Sequence, residues 1–320
     1  YRRQRQMCIR DSWNRGDKLR VYLKKQTLKK MDVVICMSLK DCWFFRKNLY
    51  FIKKNINPNH IYVLTDKRNF NYIPNVGSLI TCVDENEVVD HLTFSVCKSI
   101  VEKYLTTQAF GWYYQQLLKL GFALSRYAKD EYLVWDSDTV PLSELNFKDE
   151  EGHDLVLVKK ERHVPYFNTI DGLFHAPKKA PYSFISEHML FNVSIVKEML
   201  SLIEEKSQFK LPWFEQCIAA RKEDVVQVFS EFETYGTFCY NYHPGKLKVR
   251  PLNTFRLGSK IFGVMASRKE IQSLSFDLDT VSFEMRDYPV SWHRRFVQCC
   301  IYWTIRTVIK CRVKFGKFPL

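Results

Sequence analysis

At 320 residues, with 46% hydrophobic and 15% aromatic content, the chain can bury a sizeable core, which excludes disordered and collagen-like classes. Its net charge of +14 sits at the ends: +9 falls in residues 1–30 and +7 in 291–320, leaving −2 for 31–290. A body this close to neutral argues against a nucleic-acid partner.

Ten cysteines include the adjacent Cys299 and Cys300 but no CxxC pair, so neither a zinc ribbon nor a disulfide framework is expected. Reduced thiols suit a cytoplasmic setting. No secretory apolar segment and no run of about 18 apolar residues is present, so no membrane span is expected. Residues 1–12 resemble translated sequencing-adapter read-through and are set aside as artefact. Met31, directly before an apolar strand, reads as a native start, and 13–30 stay open.

In chain order, Asp32–Ser38 is a β-branched apolar run, hence a short buried strand. Asp41–Asn55 carries Phe44, Phe45, Leu49 and Ile52 at helical spacing, and Asn57-Pro58-Asn59 breaks it. Ile61–Asp66 is a second strand. Strand, helix and strand in this order predict a βαβ unit of a parallel sheet. Ligands of such sheets lie beyond the carboxyl ends of the strands, which brings Ser38, Thr65 and Asp66 near a site. Helices are expected over 86–106 and Gly111–Tyr127. Tyr132–Trp135 is a buried strand running into Asp136-Ser137-Asp138-Thr139, and Leu155–Val158 is another. The Pro-, His- and aromatic-rich stretch 160–185 reads as a structured loop. Helices follow at Val193–Ser207, at 212–222 and from Ser230, and late strands at Val249–Leu257 and Asp279–Glu284.

Four apolar residues followed by Asp-x-Asp is the most informative local feature. On extended backbone, side chains at i and i+2 point to one side, so both carboxylates could face one cation. Hard divalent cations prefer such oxygen ligands and bridge carboxylates to diphosphates. The plain alternative is a solvated turn at a strand end.

Three further segments supply context: Phe110–Leu120 (FGWYYQQLLKL), Ser186–Asn192 (SEHMLFN) and Ser230–Gly236 (SEFETYG). In this order with Asp136-Ser137-Asp138, they resemble a bacterial family of glycosyltransferase-like proteins over roughly residues 32–285. The resemblance implies an α/β, GT-A-like (Rossmann-like) nucleotide-sugar-binding domain with a central, mostly parallel sheet at 31–290. It implies a metal-dependent glycosyltransferase, hexosyltransferase-like, taking a nucleotide-sugar donor and a glycan or lipid-linked acceptor in bacterial surface polysaccharide synthesis. Asp136 and Asp138 carry over as ligands of Mn²⁺ or Mg²⁺ and of the diphosphate. Trp112, Gln116 and Lys119 carry over to the donor pocket, with core packing as the alternative for Trp112 and a solvated position for Lys119. The family pattern puts a His where Val281-Ser282-Phe283 here meets Glu284, so Glu284 is the candidate third metal ligand.

An inverting transferase needs a carboxylate base. Ser230-x-x-Glu233 reads as a capping box in which Glu233 reaches back to the Ser230 N–H. Glu231 is then the favoured base, with Glu233 and Glu187 behind it, and a retaining enzyme would need none. His188 and Tyr235 are acceptor-side candidates, His188 alternatively a buried structural histidine.

The tail 291–320 mixes Trp292, Phe296, Trp303 and aliphatics with Arg295, Arg306, Lys310 and Lys317, a composition that suits a helix lying on an anionic membrane. The expected location is therefore cytoplasmic, at the inner face of the cell membrane. Docking of the tail on the protein's own core is the alternative. A nucleotide-sugar-binding module without turnover, and a haloacid-dehalogenase-like phosphatase in which Thr139 comes one residue too early, are the rival functions.

Overall fold

The computed structural model describes residues 30–314. The readings of 1–12, of 13–29 and of Lys317 fall outside the described residues, as does that of the Lys310 side chain.

The protein is mixed α/β with a central, mostly parallel sheet. Five strands, β1 (Asp32–Cys36), β2 (His60–Thr65), β3 (Ile80–Asp84), β4 (Glu131–Trp135) and β7 (His188–Asn192), lie in the order β3-β2-β1-β4-β7. All pairings are parallel except that of β7 with β4. β1 is buried throughout because both faces of the sheet are covered. One face packs the cluster containing Val34, Leu64, Val134 and Phe191, and the other packs Val33, Ile35, Leu133 and Trp135. Strand alternation sends consecutive residues to opposite cores.

Helix α1 (Leu39–Asn55) makes the predicted crossover between β1 and β2. The expected helix 86–106 is α2 (Phe94–Tyr104), and 80–84, not foreseen as a strand, forms the edge strand β3. Helix α3 (Phe110–Gly121) precedes β4. The stretch 160–185 is not only loop: α4 (Val164–Phe174) starts with Pro165 in its first turn, where a missing N–H does no harm, and ends at His175 in the left-handed region. Helices α5 (Val193–Glu205), α6 (Trp213–Ala219) and α7 (Glu231–Tyr242) complete that side.

Two small sheets flank the main one. β5 (Thr139–Pro141) pairs with β10 (Thr280–Ser282), which also pairs with β9 (Thr254–Phe255); β6 (Asp154–Val156) pairs with β8 (Leu247–Val249). The short helices α8 (Gly258–Phe262) and α9 (Arg268–Ser273) lie between β9 and β10. The last helix, α10 (Trp292–Lys314), is tied down at its start. Gln298 donates to the carbonyls of Met285 (2.8 Å) and Asp287 (2.9 Å), and Arg294 pairs with Glu270.

Candidate active site

The carboxyl ends of β1, β4 and β10 meet around Asp136-Ser137-Asp138. This segment is not extended, as the sequence reading assumed. Thr139 N–H closes back onto the Asp136 carbonyl at 3.1 Å, so the motif is a turn. The turn is held from four sides. Buried Asn48 on α1 donates to the carbonyls of Ser137 (2.9 Å) and Thr139 (2.7 Å), and the Trp135 indole N–H donates to the Thr139 carbonyl (2.7 Å). The Phe283 N–H reaches the Asp138 carbonyl (2.9 Å), and the Asp136 N–H reaches that of Glu187 (3.0 Å). A buried amide that satisfies two turn carbonyls holds this loop in place.

The turn sends the two aspartates into different surroundings. Asp136 forms an ion pair with Lys119 at 2.6 Å, and the same ammonium pairs with Glu231 at 2.7 Å. Lys119 is only 3% exposed, and Asp136, at 30%, is the member of this triad that meets solvent. Burial alone would depress the Lys119 pKa, but the two carboxylates outweigh it and raise it. Burial also pushes both acids upward, against the opposing pull of Lys119. The charge of Lys119 is therefore committed to protein carboxylates rather than free for a phosphate.

Asp138 has no such cation. Burial first, then the negative charges of Asp136, Asp41 and Glu284, lift its pKa to about 8 against the opposing charge of Lys40. Crowded like charges of this kind are what a divalent cation would relieve, and all the donors are carboxylate oxygens. The residues thus fit a hard divalent cation. Glu284 is itself paired with Arg286 at 2.6 Å. Asp136, Asp138 and Glu284 do not bring three ligand atoms within 4.8 Å of one another; among the described residues the group that does is Asp149, Glu151 and His153, which Lys248 already neutralises in part.

Of the other expected site residues, Ser38 lies at the end of β1, its N–H and hydroxyl both donating to Asp41 (3.0 and 2.8 Å), beside Asp138. Thr65 is buried and accepts from Asn69, and Asp66 forms an ion pair with Arg68, so both serve the turn after β2. Gln116 is buried; its Oε1 accepts the Glu231 N–H (3.2 Å) and its Nε2 donates to the Trp112 carbonyl, so it orients the start of α7. Trp112 is half-buried and packs edge-on to Tyr113.

Ser230 caps α7 by accepting the Glu233 N–H (3.3 Å). The expected reciprocal bond is replaced: the Glu233 carboxylate turns inward and accepts from Lys178 (2.5 Å), Ser183 Oγ (2.5 Å), Phe184 N–H (2.8 Å) and Thr237 (3.1 Å). Fully enclosed, it pins the 178–184 segment and leaves no oxygen for a substrate. Tyr235 is likewise buried, its hydroxyl accepting the Asn192 N–H (3.0 Å), so it stands in the core instead of on an acceptor face.

His188 is stacked on Trp135 at 4.7 Å and lies 3.4 Å from the Arg250 guanidinium. Burial and then Arg250 and Lys159 hold its pKa well below the usual value, so the ring is neutral in the fold. The unfolded chain gains that proton first, so stability is full above about pH 6.5 and falls as pH drops below it, by up to about 1.4 kcal/mol per pH unit. Urea titrations at pH 7 and pH 5 should show this loss, and His188→Phe should shrink it.

Two cations were missed. Lys159 (2.5 Å) and Arg256 (3.1 Å) both pair with Oε1 of buried Glu187, next to Asp136. Nothing local marks either residue, because each lies in its own loop, far along the chain from Glu187.

No curated protein sequence matches the chain. Among solved structures it is similar to the galactosyltransferase LgtC in complex with donor and acceptor sugar analogs, at 12% identity over 86% of this chain and 96% of that one, TM-score 0.45. It is similar also to mouse xyloside xylosyltransferase 1 (11%, 82% and 100%, TM-score 0.43) and to the bifunctional glycosyltransferase WbbM (14%, 88% and 50%, TM-score 0.43). Residues 28–239 match the model of a family of unknown function, DUF6492, and the chain belongs to that family.

Proposed function

We propose that this protein transfers a sugar from a nucleotide-diphosphate sugar to a glycan or lipid-linked acceptor, in a GT-A-like domain at about 31–290. The observation that carries this reading is the crowding of Asp138 by Asp136, Asp41 and Glu284 at the carboxyl end of the parallel sheet, with Glu231 held next to them by Lys119. Asp138 would hold Mn²⁺ or Mg²⁺ together with the free oxygen of Asp136, with Glu284 as a third ligand once released from Arg286. A cation there neutralises charge developing on the leaving nucleoside diphosphate. Glu231, its Oε1 held by Lys119, would accept the proton of an acceptor hydroxyl in an inverting reaction. Gln116 and Lys119 position these acids from beneath.

A panel of nucleotide sugars with Mn²⁺, read by thermal shift and then by nucleotide release, tests the reading. One stabilising donor that is turned over supports it. Phosphate release from monoesters, or saturable donor binding without release across an acceptor panel, overturns it in favour of the phosphatase or the binding module. The module has one observation on its side, the pairing of Glu284 with Arg286.

We further propose that the 291–320 tail rests on an anionic membrane face. No helix among the described residues is long and apolar enough to cross a membrane. On α10, Trp292 is 80% exposed, and Phe296 and Trp303 are exposed in company with Arg295 and Arg306. The full chain should float with phosphatidylglycerol vesicles and lose flotation on truncation at Ser291; equal recovery of both forms rules the anchor out.

A further inference from the structure

We propose that Arg256 binds a phosphate group of the substrate, its guanidinium held ready by Glu187 with Lys159 behind it. This rests on the transferase reading and adds a phosphate contact that lies apart from the Asp-x-Asp turn.

Glu187 is buried and its Oε1 pairs with both the Lys159 ammonium (2.5 Å) and the Arg256 Nε (3.1 Å). Its Oε2 is enclosed without a hydrogen-bond partner, so the carboxylate is not simply a satisfied core group. The Arg256 side chain remains 45% exposed, and among the described residues its two terminal nitrogens make no ion pair. A guanidinium anchored by an ion pair at Nε, with the outer nitrogens open, can bind phosphate oxygens in pairs.

Its position is set by backbone. Leu257 bridges Phe283, and the Phe283 N–H holds the Asp138 carbonyl. This contact requires Gly258 to lie against β10: a Cβ there would stand 2.7 Å from Val281 Cγ2 and 2.8 Å from the Ser282 carbonyl oxygen. Asp136 feels the charges of both Glu187 and Arg256. The acids that suit a divalent cation and an open guanidinium thus flank one turn. A diphosphate carries enough charge to engage two separate cations. The phosphate could belong to the donor or to a phosphate-bearing acceptor, and the chemistry recognised is the same.

Calorimetric titration of the full chain with Mn²⁺ tests this, using UDP, GDP, the corresponding nucleosides and inorganic phosphate. Arg256→Ala is expected to weaken the bound nucleoside diphosphate at least ~10-fold while leaving the nucleoside and the melting temperature unchanged; Arg256→Lys should recover only part. If Arg256 holds the donor, inorganic phosphate finds no Arg256-dependent site in nucleotide-saturated protein. If it holds an acceptor, the nucleotide is bound unchanged, and phosphate still binds the saturated wild type and is lost in R256A. Unchanged binding of both nucleotide and phosphate in R256A overturns the assignment and leaves the transferase intact, whereas wild type that binds no nucleoside diphosphate overturns the transferase reading itself. Glu187→Gln should reproduce part of the affinity loss; a drop in melting temperature alone would make Glu187 a structural brace only.

Discussion

Lys119→Met is expected to lower unfolding stability by about 3 kcal/mol and to remove sugar transfer. Lys119 is buried, and its loss leaves Glu231 without a counter-charge while stripping Asp136 of its partner. Breaking a buried ion pair from one side typically costs about 3–5 kcal/mol. The lower end applies because Asp136 reaches solvent. The double variant Lys119→Met/Glu231→Gln removes the orphaned carboxylate and should regain more than half of the lost stability without regaining activity. Urea unfolding of the single and double variants measures the coupling. A K119M protein as stable as wild type would mean the ammonium is not where the structure has it.

Asp138→Asn should separate activity from stability. Half-buried Asp138 has its pKa raised to about 8, so without metal it is mostly protonated at neutral pH. Because the unfolded chain ionises it near pH 4, keeping that proton costs stability, and the cost grows as pH rises from about 4 to about 8. Asparagine ionises in neither state and removes that cost at nearly constant volume, so at neutral pH the metal-free variant should melt at or above the wild-type temperature. Transfer should fall by roughly 10²–10³-fold, the usual effect of removing one electrostatic stabiliser of the leaving group. Mn²⁺ should raise the melting temperature of wild type and not of D138N. Equal metal stabilisation in both proteins would overturn the metal reading of this turn.

The parts of this fold that were legible in the sequence are those where neighbours in the chain do the work. The β-branched run at 32–36 and the helical spacing of Phe44, Phe45, Leu49 and Ile52 announced the βαβ unit, and the strand into Asp136 was equally plain. What failed was an inference about backbone: Asp-x-Asp was assigned strand geometry, whereas Asn48, 88 residues before Asp136, closes it into a turn. Such a contact has no local signature. The helix at 164–174 was hidden by its aromatic and proline content, although Pro165 at a helix start is a known signal. Glu233 reads in the sequence as the capping partner of Ser230 and a second candidate base, whereas its carboxylate meets Ser183 and Lys178 from a distant loop. Lys159 and Arg256 were invisible for the same reason, as single basic residues in a chain with 49 of them.

The first turn of α7 has a mechanical consequence. Glu231 faces one way, to Lys119 and Asp136, while two residues on Glu233 grips Ser183 and the Phe184 N–H, only a few positions before Glu187. Glu231 and the 183–184 backbone are thereby tied to one helix turn. In the proposed transferase, a ligand that draws Glu231 forward would draw Ser183 and Phe184 along with it, and through Glu187 the pull would reach Arg256.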